Sequence, residues 1–377
     1  MTNRERVHAI LSYGKYDRMP IVDFGFNNEA INNWHRLGHL DDDDIKDSGD
    51  GGAGEKRIEK KLGFDFNWQG GMVPIPDTGV RPQFEYKIIN KFPDGIMHVV
   101  SGNGTIEGVK EGVHCIPQDI GTLLKGRREW EELFLPKLQY SEERISGLLN
   151  SGMPKEKAGL ENPRGLHCGS LYGLIRNMTG VQELSFLQAD DEDLYFEIIN
   201  AVGDLCFSVT GAALESGYEF DYAHFWEDIC FKTGPLINPK TYNDKVGPHY
   251  RKITDLLHQY NIEFVSLDCD GFIEHLIPTW LDNGVNVMFP LEVGTWGANL
   301  GDLRKKFGEG LLAVGGMDKR LLSKSGGYKA IDAEVEKMRK LADMGGYIPC
   351  PDHRIPSDAI WENVQHYCDR MKTVFWR

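Results

Sequence analysis

The chain has 377 residues, with 57 Asp+Glu against 42 Lys+Arg and a formal net charge of −15. Hydrophobic residues make up 41% and charged residues 26%, the balance of an ordinary soluble globular protein. That balance excludes nucleic acid and an anionic membrane as main partners, because phosphate contacts need clustered Lys and Arg.

Met1 to Arg18 is charged, so no apolar leader is expected, and no run of apolar residues is long enough for a membrane span. The seven cysteines are scattered and form no CxxC pair, which reads as reduced thiols in a cytoplasmic protein. Free cysteine is usually a small buried apolar residue.

Thr2 to Leu11 reads as a helix and Met19 to Phe24 as a first strand, with Pro20 at its start. The four aspartates Asp41 to Asp44 read as a solvated turn. Phe64 to Trp68 is a second strand. Residues 70–125 differ: β-like pieces at Phe84–Ile89 and Ile96–Val100 are split by Pro93-Asp-Gly95 and Ser101-Gly-Asn-Gly104, which are turn signals. This region reads as an antiparallel insertion, and residues 126–150 as helical again.

From Gly165 onward β-like and helical runs alternate. The strands are Gly165–Leu171, Phe220–Trp226, Phe264–Asp270, Val285–Pro290, Leu311–Gly316 and Gly346–Cys350. The helical runs include Asp190–Ser216, Lys240–Tyr260, Gly271–Asn283 and Tyr328–Met344. Parallel strands need crossovers, so this alternation implies an α/β protein with a parallel sheet. Eight such units predict a closed (β/α)8 TIM barrel, with the β-rich insertion in its N-terminal half and residues 1–377 as one domain. An open doubly wound sheet is the alternative. Neither GxGxxG nor GxxxxGK[ST] is present to support it.

In such barrels the site lies at the C-terminal strand ends. Five successive ends carry acids: Glu227 and Asp228, then Asp268 and Asp270, Glu292, Asp318, and Asp352 followed by His353. The period of two puts Ser266, Asp268 and Asp270 on one face of the fifth strand, toward the barrel mouth, and Val265, Leu267 and Cys269 on the other. Acids gathered there repel and need a cation, a proton or a basic substrate. Asp270, Glu292 and His353 make a mixed oxygen and nitrogen ligand set compatible with Zn²⁺ and an open fourth position. A hydrogen-bonded rim without metal is the competing reading. Lys319 is a competing cation, and Cys350 a less favoured thiolate ligand. Phe24, Phe26 and Asn27, after the first strand, are expected to reach the same mouth. His114-Cys115 and His167-Cys168 resemble ligand pairs only superficially, since neighbours on a strand face opposite ways.

These strand ends resemble those of the uroporphyrinogen decarboxylase superfamily. The resemblance is carried by Arg4-Glu-Arg-Val7 with Tyr16-Asp-Arg-Met-Pro20, by Trp226-Glu-Asp-Ile-Cys-Phe-Lys232 with Gly234-Pro235, and by Asp268-Cys-Asp-Gly271. Phe289-Pro-Leu-Glu-Val293, Gly315-Gly-Met-Asp-Lys319 and Gly345-Gly-Tyr-Ile-Pro-Cys-Pro-Asp-His353 complete it. It implies a (β/α)8 barrel. True decarboxylases of the family bind an octacarboxylate through an arginine-rich N-terminal segment. Here Ile21-Val-Asp-Phe-Gly-Phe-Asn-Asn28 has no arginine, and an acidic rim repels a polyanion. The other branch holds zinc-dependent, corrinoid-linked methyltransferases. Its thiol-directed members place His-x-Cys where this chain has Asp268-x-Asp270. The oxygen-rich variant implies an oxygen-containing substrate.

The resemblance therefore implies a methyltransferase that demethylates a methoxylated aromatic onto the Co(I) of a separate corrinoid protein, with zinc as Lewis acid. No DxHxxG corrinoid signature is present in the chain itself. In that reading Asp270, Glu292 and His353 hold the metal. Glu227 and Asp228 orient substrate or supply the acid, Asp268 assists or replaces a ligand, and Lys319 meets the phenolate. His224 and Trp226 join Phe24, Phe26 and Asn27 around the substrate. The protein is expected as a monomer or homodimer, and the insertion as a lid or a docking face for the corrinoid protein. A lyase or decarboxylase using Lys319 or Arg354, and a non-catalytic ligand-binding barrel, are the alternatives.

Overall fold

The computed structural model describes residues 1–110 and 118–376. The pair His114-Cys115 lies outside the described residues. The strands are β1 (Val22–Asp23), β2 (Phe66–Asn67), β3 (Lys87–Lys91), β4 (Ile96–Val100), β5 (Thr105–Lys110), β6 (Gln118–Thr122), β7 (Gly165–His167), β8 (Tyr222–Trp226), β9 (Cys230–Phe231), β10 (Gly234–Pro235), β11 (Phe264–Asp268), β12 (Val287–Leu291), β13 (Leu312–Met317) and β14 (Tyr347–Pro351).

The barrel is built from eight of these. Six form one parallel sheet in the order β14-β13-β12-β11-β8-β7, and β1-β2 form a second parallel pair. The pair joins the larger sheet where the Asn27 N–H donates to Ile355 O at 3.0 Å and the Ile355 N–H to Gly25 O at 2.9 Å. On its other side the Tyr222 hydroxyl donates to Trp68 O at 2.7 Å, but no ladder links β2 to β7 among the described residues. All eight strands read from sequence are present, because a run buried on both faces of a parallel sheet is continuously apolar. Every residue of β11, β12, β13 and β14 is buried.

The helices obey local rules. Thr2 caps Asn3–Leu11 with a reciprocal box to Glu5, a device worth roughly 1 kcal/mol. Of the four aspartates, Asp41, Asp42 and Asp43 are exposed as expected, but the run forms a short helix, Asp42–Ile45, that Asp41 caps in the same way. Asp44, at 1% exposure, is buried against Lys61 and Arg57 rather than solvated. The helix expected over Gly271–Asn283 is confined to Ile277–Asp282. Gly271, at φ +91°, starts a turn in which a Cβ would lie 2.6 Å from Cys230 O. Glu192–Glu215 is long and apolar enough to cross a membrane by length and composition, and its apolar residues such as Leu194, Ile198 and Val202 are buried in this protein.

The insertion is the four-stranded antiparallel sheet β3-β4-β5-β6. Strand β3 is exposed along its length. Val99, Val100, Thr105 and Thr122 tie the sheet down, and Thr122 Oγ1 donates to Met178 O at 2.6 Å. The sheet thus sits against the helices Gly173–Thr179 and Val181–Asp190, which follow β7 at the mouth. Among the described residues every cysteine is free.

Candidate active site

Three acids converge where β8 and β11 end. One oxygen from each of Asp228, Asp268 and Asp270 lies within 4.8 Å of the others. Asp228 has a positive φ of 48°, which aims its side chain across the end of β11. Its Oδ1 accepts the Asp270 N–H at 3.1 Å. Asp268 is buried, and its Oδ2 accepts from Gln69 Nε2 at 3.0 Å. Asp270 Oδ2 stands 3.2 Å from His353 Nε2, while Asp270 Oδ1 is buried with no partner.

Burial, then the charges of Asp228 and Asp270, push the Asp268 carboxyl well above the usual aspartate range. Burial, then Asp270, raises Asp228 as well. Such a cluster is stable only with protons or a cation inside it. An orphaned carboxylate oxygen beside an imidazole nitrogen is the stronger sign of a cation, because a buried acceptor without a donor costs roughly 1–3 kcal/mol. The donor set, carboxylate oxygens plus one histidine nitrogen, fits Zn²⁺.

The expected ligand set is therefore redrawn. Asp270 and His353 do meet. Glu292 stands close enough for Asp270 to raise its carboxyl, after burial, but its oxygens are held by the Gly271 N–H at 2.6 Å and the Thr295 hydroxyl at 2.7 Å. The tightest group is Asp228, Asp268 and Asp270, with His353 added through Asp270.

Glu227 is turned away from this cluster. Fully buried, it accepts the Leu171, Tyr172 and Gly173 N–H groups at 2.9, 2.9 and 2.7 Å, the Ser170 hydroxyl at 3.4 Å, and the Tyr250 hydroxyl. It closes the N-terminus of the helix Gly173–Thr179, where a carboxylate is favoured. Asp352 does similar work. It accepts the Val293, Gly294 and Lys319 N–H groups at 2.9, 2.7 and 3.0 Å, holding two strand ends together. Asp318 pairs with Arg320 at 2.7 Å.

The aromatic and polar residues also divide. Phe24 is at the site, with its ring centroid 5.3 Å from His353 and 4.5 Å from Phe289. Phe26 is not: it packs with Trp34 and Phe64 in the core. Asn27 is not either, since its side chain caps the helix Asn28–Arg36. The cause is Gly25, at φ +84°, which turns the chain away from the mouth. A Cβ there would meet Arg354 Nη1 at 2.5 Å.

His224 lies inside the barrel, with Nδ1 2.8 Å from Ser266 Oγ and Nε2 buried without a partner. Burial holds it well below the usual histidine range, so it is neutral. Trp226 lies at the rim with the Arg176 guanidinium 5.4 Å over its ring. Cys350 is buried against Pro351 O and joins no ligand group among the described residues.

A cavity of about 650 Å³ opens beside the cluster, lined by Asp270, Glu292, Thr295, Lys319, Cys230 and Lys232 among others. Lys319 makes no ion pair among the described residues, so its ammonium is free to face a ligand. Two further residues border the site: Gln69, which was not read from the sequence, and Arg354, which was read only as a basic group for a lyase. Gln69 reaches Asp268 from the turn after β2. Arg354 binds Asp50 through Nη1 at 2.9 Å and Nη2 at 2.6 Å, with its guanidinium 5.7 Å over Phe24. Position next to His353 was the available signal for Arg354; for Gln69 there was none.

A model of the uroporphyrinogen decarboxylase (URO-D) family matches residues 165–374, from β7 through the last helix. Among solved structures, a methyltransferase from Methanosarcina mazei aligns at a TM-score of 0.62 and 14% identity, over 99% of each chain. A B12-independent methionine synthase from Shewanella aligns at a TM-score of 0.48 and 10% identity, over 94% of this chain and 96% of that one. No curated protein sequence matches the chain. Identity this low speaks for a shared fold alone, whereas the family model covers more than half of the chain, including every strand end that carries the acids. The chain belongs to the uroporphyrinogen decarboxylase family.

Proposed function

We propose that the protein is a methyltransferase that demethylates a small methylated substrate, an aryl methyl ether by preference, and passes the methyl group to the Co(I) of a corrinoid held by a separate protein. The observation that carries this reading is the oxygen-rich donor group Asp228, Asp268, Asp270 and His353, with one carboxylate oxygen left bare beside a 650 Å³ cavity. Asp270 and His353, with Asp228 or Asp268, would hold Zn²⁺. Bound there, the ion would supply Lewis acidity to an ether oxygen, which is otherwise a poor leaving group.

The chain's own residues then divide the remaining work. Phe24, buried behind His353, and Trp226, half-buried at the rim, would form the apolar wall beside the substrate. Gln69 fixes the rotamer of Asp268. Lys319 faces the cavity and would hydrogen-bond the phenolate as charge develops on it. Glu227 and Asp352 position the loops that carry these groups. The insertion borders the rim near Arg176, whose charge acts on both Asp119 of β6 and Asp228, and we place the docking of the corrinoid partner on that side.

The lyase alternative needs a basic group aimed at a carboxylate substrate. Arg354 has both its terminal nitrogens bound to Asp50, which leaves Lys319 as the basic group for that reading. The test is to incubate the protein with methoxylated aromatics and a Co(I) corrinoid protein, following the cobalt spectrum and the free phenol. Phenol and methylated corrinoid in equal amounts support methyl transfer. Carbon dioxide release without any corrinoid protein favours the lyase.

A further inference from the structure

A second acidic cluster lies away from the mouth. One oxygen from each of Asp23, Glu55 and Glu59 falls within 4.8 Å of the others, and all three residues are buried. Asp23 is on β1, and the two glutamates share a face of the helix Ala53–Leu62. None of the three makes an ion pair among the described residues.

The hydrogen bonds account for only part of their capacity. Asp23 Oδ1 accepts the Gly25 N–H at 2.7 Å. Glu55 accepts the Gly51 N–H at 2.7 Å and Asn67 Nδ2 at 2.8 Å. Asp23 Oδ2 accepts nothing, although Asp23 is 0% exposed. The Tyr367 hydroxyl, also buried and unpartnered, is within electrostatic reach of Asp23. The nearby charges do not resolve this. Arg354 is committed to Asp50, and Lys56 acts on Glu59 only at a distance. A cavity of about 430 Å³, lined by Glu55, Glu59, Asn67, Gly51, Gly70 and Arg164 among others, gives a route to the cluster.

We propose that Asp23, Glu55 and Glu59 form a cation site separate from the mouth, taking one hard divalent ion of the Mg²⁺, Ca²⁺ or Mn²⁺ class. Three carboxylates with no nitrogen or sulfur donor select a hard ion. The bare Asp23 oxygen is its natural ligand. The ion ties β1, which pairs with β2 over only two residues, to the helix Ala53–Leu62. Glu55 bonds Asn67, Asn67 bonds Asp50, and Asp50 holds Arg354, so the site also steadies the residue next to His353.

Protons are the rival occupants, and pH separates the two. Burial raises Glu55 to about 8 and Glu59 to about 7, from ordinary values near 4.5. Without a cation their contribution to stability is complete below the unfolded value and is lost as pH rises through about 7 to 8. A cation binds the ionised cluster, so its stabilisation grows over that same range.

The experiment uses the full chain carrying Asp270→Asn, stripped with EDTA, so that an ion at the mouth does not contribute. Thermal unfolding is followed with Mg²⁺, Ca²⁺ or Mn²⁺ alone, at about pH 6 and about pH 8.5. The expected result is a rise in Tm with at least one ion, larger at the higher pH, and one bound ion per chain after gel filtration. Adding Asp23→Asn or Glu55→Gln weakens that binding at least ~10-fold. The proposal is overturned if no ion moves Tm at either pH, or if bound ion survives both substitutions. The parent measurement needs no second substitution, so poor folding of either variant does not rescue or sink it.

Discussion

His353 Nε2 stands 3.2 Å from Asp270 Oδ2, while the other oxygen of Asp270 is buried and bare. A carboxylate shared between an imidazole and an empty direction is half of a metal site. Protein purified without added metal is expected to carry about one zinc per chain at this position. His353→Ala should lower the affinity at least ~10- to 100-fold, read as metal content and as zinc titration of stripped protein. Equal zinc in wild type and variant would place the ion elsewhere.

Asp268 responds in opposite directions with and without that ion. In stripped protein, burial and two neighbouring acids raise its carboxyl, so its contribution to stability is present below the ordinary aspartate range and lost as pH rises through the raised value. Asp268→Asn keeps the shape and the contact with Gln69 Nε2 but removes this loss. Stripped Asp268→Asn should therefore melt a few degrees above stripped wild type at neutral pH, and at or below it in acid. With zinc present the order should reverse if Asp268 is a ligand, because Asn binds zinc poorly. Paired melts with and without EDTA decide this; the same order in both rules Asp268 out of the coordination.

The barrel was legible in the sequence because each strand is a short apolar run between helical periods, and all eight fall where that alternation puts them. The site was legible only in part. Acids at strand ends serve two purposes, and a sequence does not separate them. Asp228, Asp268 and Asp270 meet one another, while Glu227 and Asp352 face backbone N–H groups supplied by other segments. Those N–H groups lie 54 to 56 residues from Glu227 and 33 to 59 from Asp352. Phe26 and Asn27 were misplaced because they were expected to follow the first strand to the mouth, whereas the positive φ of Gly25 turns the chain away. Gln69 was invisible because a turn, not a periodic element, presents it.

Glu227 shows how the two roles are told apart. A buried carboxylate accepting three N–H groups and two hydroxyls holds a loop together. Glu227→Ala leaves those donors unpaired and should cost about 3–5 kcal/mol in urea unfolding. At a temperature where the variant is still folded, the zinc content should match wild type. Wild-type stability with lost turnover would instead make Glu227 a catalytic residue.

Lys319 makes no ion pair among the described residues and lines the cavity that also contains Asp270, Glu292 and Lys232. If it meets the departing phenolate, the interaction is stronger in the transition state than in the ground state. Lys319→Met should then lower kcat by about 10²–10³-fold with little change in KM or in bound zinc. The effect should shrink for substrates whose phenol is more acidic, since a better leaving group needs less help. If Lys319 only balances the charge of the acids, the variant will lose zinc or stability first, and the loss in kcat will be the same for every leaving group. A series of ring-substituted aryl methyl ethers, assayed at matched zinc content, distinguishes the two by the slope of log kcat against the acidity of the phenol.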